Sequence, residues 1–212
     1  MRGFRLAAPL AVMAALACGG PPKPDHPAPE APHAQPLPTA GISGQDVSVY
    51  PLTLLVAAEE LHWDTMGLTP RRAALDRADS LLGALLQERS PEVNWVLPPK
   101  LRRDAAQAPG MLTNPDQMAT PLLRGSLVET IPDPLRSQMR QLNGVANARY
   151  ALIPAGLVFV KVPGGQGRAE LTLVMADVRT GLIGYRTVAT AVGDNPWTAL
   201  RLAIKSLVPG LP

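Results

Sequence analysis

The most regular spacing of hydrophobic positions lies between residues 69 and 90. Leu75, Ala78, Leu82 and Leu85 recur with a helical period, while Arg71, Arg72, Asp76 and Asp79 take the other faces. Thr69-Pro70 predicts the start of this helix, with Thr as N-cap and Pro at the first helical position, and Ser90-Pro91 ends it. Ahead of it, residues 46–56 (DVSVYPLTLLV) are β-branched and apolar and predict one strand, in which Pro51 implies an edge or a bulge. Residues 93–97 predict a short strand and residues 99–108 a second helix. Prolines break residues 109–133 into loop with short pieces. Asp133-Pro134 starts a third helix that Asn143-Gly144 is expected to stop near Leu142.

The C-terminal third is the clearest. Residues 150–162, 168–178 and 183–192 each predict a strand, and the turns between them, Pro163-Gly164-Gly165-Gln166-Gly167 and Arg179-Thr180-Gly181, are short and glycine-bearing. That is the pattern of an antiparallel meander. Asp194-Asn195-Pro196 then caps a last helix with Trp197, Leu200, Ile204 and Leu207 on one face and Arg201 and Lys205 away from it. Strand, helix, strand, helix, loop, helix, three strands and a helix predict an α/β (α+β) fold. The expected form is a single sandwich over residues 41–212, a mixed sheet ending in an antiparallel meander, with helices packed on it.

Composition changes the picture at the other end. Of the 24 prolines, eight lie between Gly19 and Ala40, where large apolar residues are almost absent. Such a segment cannot offset its ordering entropy by burial and favours extended polyproline II; 22 residues at about 3.1 Å each reach roughly 70 Å. Residues 18–40 therefore read as a disordered tether. Residues 1–17 pair two arginines, Arg2 and Arg5, with an eleven-residue apolar run, too short to span a bilayer core and typical of a signal peptide. The formal charge of +3 falls to +1 without those arginines. A body so near neutrality does not carry the basic stripe expected of a nucleic-acid binder.

Cys18 is the only cysteine, and Ala15-Leu16-Ala17-Cys18 resembles the bacterial lipobox, in which cleavage between Ala17 and Cys18 frees a cysteine for acylation, palmitate among the acyl groups. Ala15 stands where Leu is commonest, and the same residues also fit ordinary secretory cleavage, which leaves a soluble protein with a free thiol. Acylation removes the oxidation liability of a lone thiol in an oxidising compartment. By the same resemblance, Gly19, in place of the Asp that retains enteric lipoproteins in the inner membrane, implies an outer-membrane anchor facing the periplasm.

Candidate chemistry is thin. The glycine turn at residues 163–167 is followed by a strand, whereas a phosphate loop needs a helix N-terminus. Glu59, His62 and Asp64 form the one polar cluster with metal or acid–base potential, yet His62 is the only histidine outside the tether, and zinc needs more ligands. Neither a nucleophile elbow nor a metal or cofactor site is expected, and the chain does not read as an enzyme. Trp63, Met66, Met111, Met118, Leu122 and Leu123 sit in segments without periodicity. Trp and Met are enriched at interface cores, so these six are candidates for a partner contact; the competing reading is a satellite core beneath the loops.

Four short motifs resemble a known group. Val47-Ser48-Val49-Tyr50-Pro51, Ala148-Arg149-Tyr150-Ala151-Leu152, Asp177-Val178-Arg179-Thr180-Gly181 and the helix from Ala199 to Leu207 are similar to the module shared by curli-secretion and penicillin-binding-protein-activator lipoproteins, related to the TolB N-terminal domain. The segments at residues 57–68 and 109–132 depart from that pattern. The resemblance implies binding to other envelope proteins with no chemistry of its own. The expectation is a membrane-anchored adaptor for an envelope complex. A carrier of a small apolar ligand held between sheet and helices is the alternative.

Overall fold

The computed structural model describes residues 34–208. Residues 1–33, and with them the signal peptide, Ala17, Cys18 and most of the tether, lie outside the described residues, as do residues 209–212. Six strands form one mixed sheet: β1 (Asp46–Val49), β2 (Leu55–Ala57), β3 (Asn94–Val96), β4 (Tyr150–Lys161), β5 (Gly167–Asp177) and β6 (Ile183–Gly193). The order is β3-β1-β4-β5-β6, with β2 beside the far half of β4. β1 runs parallel to β3 and β4, β2 runs parallel to β4, and β4, β5 and β6 form the expected antiparallel meander.

Helices cover both faces. α1 (Arg71–Arg89) and α4 (Pro196–Leu207) bury Leu82, Leu86, Leu200 and Ile204 against Leu152, Leu157, Phe159 and Leu171 on one side. On the other, α2 (Pro98–Gln107) and α3 (Leu135–Ala146) bury Leu101, Met139 and Leu142 against Ala151, Ile153, Val174 and Ala176. The two sets alternate along β4 and β5, as the period of two requires, which is why the first half of β4 is apolar at almost every position.

The predicted strand over residues 46–56 is two strands. Pro51 donates no N–H, and the chain leaves the sheet there before rejoining β4 at Leu55. The backbone groups released by the break find other partners. Leu52 N–H donates to Asp79 Oδ1 at 2.8 Å, Leu54 accepts from Leu157 N–H at 2.9 Å, and Arg71 donates to the Leu55 and Thr53 carbonyls. This use of Arg71 accompanies a second correction. α1 starts at Arg71, with an extended Pro70 in the cap position and no side-chain cap, so Thr69 is not the N-cap.

α3 does not stop at Asn143-Gly144. It runs on to Ala146 and ends at Asn147 in the left-handed region, φ 54°. The Asn143 side chain is spent on tertiary bonds: its Oδ1 accepts from the buried Tyr50 hydroxyl at 2.7 Å, and its Nδ2 donates to the Ala148 and Tyr150 carbonyls. Burial pushes the Tyr50 hydroxyl up, so it stays a donor. The last stretch of the predicted tether also lies on the body. Gln35 N–H donates to Thr187 Oγ1, and Leu37 is buried with its N–H on the Leu207 carbonyl, so packing begins before residue 41.

Candidate interaction surfaces

The six apolar candidates do not form one patch. Trp63 is buried, edge-on to Phe159 with centroids 5.4 Å apart, and Met118 and Leu123 are buried against α2 and α3; these three are core and not partner contacts. Prolines and short 3-10 turns hide their period, so burial is not readable from spacing there. Met66, Met111 and Leu122 are exposed but separated. Met66 sits beside α4, its carbonyl accepting from Trp197 Nε1 at 2.8 Å. Met111 edges an open depression of about 580 Å3 with Arg102 and Asp116, and Leu122 lies in the turn Thr120–Arg124 over β4. The Glu59, His62 and Asp64 side chains are exposed on two 3-10 turns joined at a left-handed His62, and no metal-binding cluster occurs among the described residues.

The densest polar constellation joins α1 to α2. Arg102 Nη2 lies 2.7 Å from Asp79 Oδ2 and 2.8 Å from Asp116 Oδ1, and Arg72 reaches Asp116 at 3.0 Å and Asp76 at 3.0 Å. Burial pushes the Asp79 carboxyl up to about 6, although Leu52 N–H and Arg102 pull it down. Asp116 is also partly buried, but Arg102 and Arg72 outweigh that and hold it below the usual carboxylate range. Asp79 is buried, and each of its oxygens already accepts a hydrogen bond, Oδ1 from Leu52 N–H and Oδ2 from Arg102, so the carboxyl ties the β1–β2 connection and α2 to α1. The network is a structural clamp.

Two surface features were not read from the sequence. The first is a sheet face without a helix. Beyond the β4 irregularity at Pro154/Gly156, the side that α2 and α3 cover elsewhere carries Val56, Val158, Val160, Val188 and Val192, none of which belongs to the core. Val56 and Val192 are 46% and 41% exposed, and the other three are half-buried. Register pairs Val56 with Val158, sets Arg168 between Val160 and Val192, and places Val188 opposite Thr172. One ion pair crosses the face, Arg168–Glu170 at 2.6 Å. The signal was present as valine alternating with inward-facing residues along 158–160 and 188–192, but alternation alone does not tell a solvent face from a covered one.

The second lies at the other end of the sheet. Arg140, Arg149 and Arg179 line an open depression of about 390 Å3 with Asn143 and Asn147. Arg149 pairs with Asp177 at 2.7 Å; Arg140 and Arg179 pair with no carboxylate among the described residues. Asp177 is held below the usual carboxylate range, its partial burial outweighed by Arg149 and by the Thr180 and Arg179 N–H groups. Those N–H bonds make the Asp177 to Gly181 segment a turn, as expected, and Asp177 is not free for a ligand. Arg149 also borders a second depression, about 440 Å3, lined by Pro38, Tyr150, Leu182 and Tyr185.

Between the sheet and α1 and α4, an apolar void among Leu52, Leu82, Leu157 and Ile204 holds about 10 Å3, roughly one water. A ligand-sized pocket is several hundred Å3, so the lipid-carrier alternative has no chamber there.

The chain matches no protein-family model and no curated protein sequence. Among solved structures it is similar to the LpoB C-terminal domain from Salmonella enterica, with a TM-score of 0.41 and 15% identity over 70% of this chain and 83% of that one. It is also similar to a PelC dodecamer from Paraburkholderia phytofirmans, with a TM-score of 0.40 and 13% identity over 84% of this chain and 96% of that one.

Proposed function

We propose that this protein is a non-enzymatic, lipid-anchored adaptor of the bacterial envelope. Acylated Cys18 holds it to the outer membrane on the periplasmic side, and the folded body engages an envelope protein through the valine face of the sheet. The observation that carries this reading is that face. Five valines on neighbouring strands reach solvent where the rest of the same sheet side is roofed by helices, and valines interleaved with the Arg168–Glu170 pair give the mixed apolar and polar surface of a protein contact. The leader, the Pro-rich spacer and the four motifs similar to envelope lipoproteins support the same reading. So does the occupation of the buried acidic groups by structural bonds.

The anchor and the face are tested separately. Intact mass of the protein from its native membrane should show loss of residues 1–17 and an acylated Cys18; an unmodified thiol or a retained leader refutes the anchor. Crosslinking in intact cells should recover a defined envelope protein with the wild type and lose it with Val56→Lys combined with Val192→Lys. Both positions are exposed, so the double variant should fold with only a small stability change. Recovery unchanged by the two lysines refutes the face.

A further inference from the structure

We infer that the arginine-rimmed end of the sheet is a second docking site, for an acidic extended segment of a partner protein that carries an apolar side chain beside its carboxylates. This site neither depends on the anchor nor shares residues with the valine face. The two depressions of about 390 and 440 Å3 meet at Arg149, one bordered by Arg140, Arg149 and Arg179 and the other by Tyr150, Leu182 and Tyr185. Arg140 and Arg179 are exposed and pair with no carboxylate among the described residues, and the one carboxylate on the rim, Asp177, is already engaged by Arg149 and two N–H groups. The rim therefore holds two guanidinium forks with bonding capacity unspent, which suits carboxylates taken in bidentate fashion. Leu182 is 57% exposed on the apolar side, where a buried partner side chain would cover it.

The shape selects the occupant. α3 presents its C-terminal end to the arginine depression, and the carbonyl pole of a helix disfavours a small anion sitting deep in it. Donors at the rim instead meet carboxylates spaced along a chain. The apolar part is a recess and not a protrusion, so it receives a side chain and offers a lipid surface nothing to insert. The start of β6 is already bonded by the segment before α3, with Ile183 N–H on the Glu129 carbonyl, so the segment is held by side chains and not by strand addition at that edge.

The full chain is presented to a displayed library of random dodecapeptides and, in parallel, to vesicles of phosphatidylglycerol in phosphatidylcholine. Enriched peptides should carry two or more Asp or Glu residues around a Leu, Phe or Trp. Their affinity should fall with added salt and drop about tenfold or more in Arg140→Glu combined with Arg179→Glu, while Arg201→Glu on the outer side of α4 leaves it unchanged. Circular dichroism and a thermal melt establish that the variants remain folded. The inference is overturned by enrichment without acidic character, or by peptide binding that the double variant retains. It is equally overturned by vesicle binding or by dimerisation of the chain that depends on the same two arginines.

Discussion

Gly167 at the start of β5 shows how one missing methyl group fixes a local fold. A Cβ there would stand 2.1 Å from Cη2 of Trp63, far inside contact distance, so the far end of the indole fills the space that a side chain would take, and the ring packs T-shaped with Phe159. Gly167→Ala is expected to cost about 2–3 kcal/mol in urea denaturation, because a buried ring on a rigid strand has nowhere to move. Adding Trp63→Phe should return part of that loss; equal stability of the wild type and the alanine variant would contradict the contact. Asp79 makes a prediction in pH. Its carboxyl is raised from 3.8 to about 6 on folding, so the folded state binds the proton more tightly than the unfolded one. Protonation therefore favours the fold: the contribution is complete below about pH 4 and is lost as pH rises through about 6, worth about 3 kcal/mol over the interval. Asp116 has the opposite sign, its stabilisation being present above the usual carboxylate range and lost as pH falls below it. The difference in melting temperature between Asp79→Asn and the wild type should thus move in favour of the variant as pH rises from 4 to 7. A difference flat with pH would show that Asp79 titrates normally.

At the scale of elements, regular segments were legible and tertiary substitutions were not. α4 announced itself because its cap is local: Asn195 Oδ1 accepts from the Trp197 and Thr198 N–H groups, next to a proline at the first turn. The meander was equally local, each strand ending in a glycine turn. The end of α3 was misread because Asn143-Gly144 resembles a stop signal in sequence, whereas the structure uses the Asn amide to join α3, β1 and β4. The split of β1 from β2 was half-legible: Pro51 flagged it, but not the partners 16 and 27 residues away that satisfy the freed backbone. This reading predicts that Asn143→Ala costs about 3 kcal/mol, since it removes three buried bonds at once, leaving the Tyr50 hydroxyl only its longer bond to the Met139 carbonyl and taking a donor from the Ala148 and Tyr150 carbonyls. Tyr50→Phe should cost about 1 kcal/mol, because it leaves a single acceptor without one of its donors. Chemical denaturation of both variants checks the order; a milder loss from Asn143→Ala than from Tyr50→Phe would contradict the amide as the junction between α3 and the sheet.

For the whole molecule, fold class could be argued from the sequence but interaction surfaces could not. Apolar residues without period drew attention to residues 63–68 and 111–123, yet Trp63, Met118 and Leu123 are core. The valine face emerges only when four strands are placed in register and their helical cover ends part-way along β4. The arginine groove likewise gathers residues from α3, β4 and the β5–β6 turn that no spacing connects. The two surfaces lie at opposite ends of one sheet, a layout suited to a molecule that acts by contact. The most direct measurement places a photoreactive amino acid in living cells at position 158 or 192 on the valine face, and at position 202 on the outer side of α4, where Leu202 is 45% exposed. Illumination should yield a discrete adduct with an envelope protein from positions 158 and 192 and none from 202. No adduct from the valine positions, or the same adduct from 202, would contradict contact through this face.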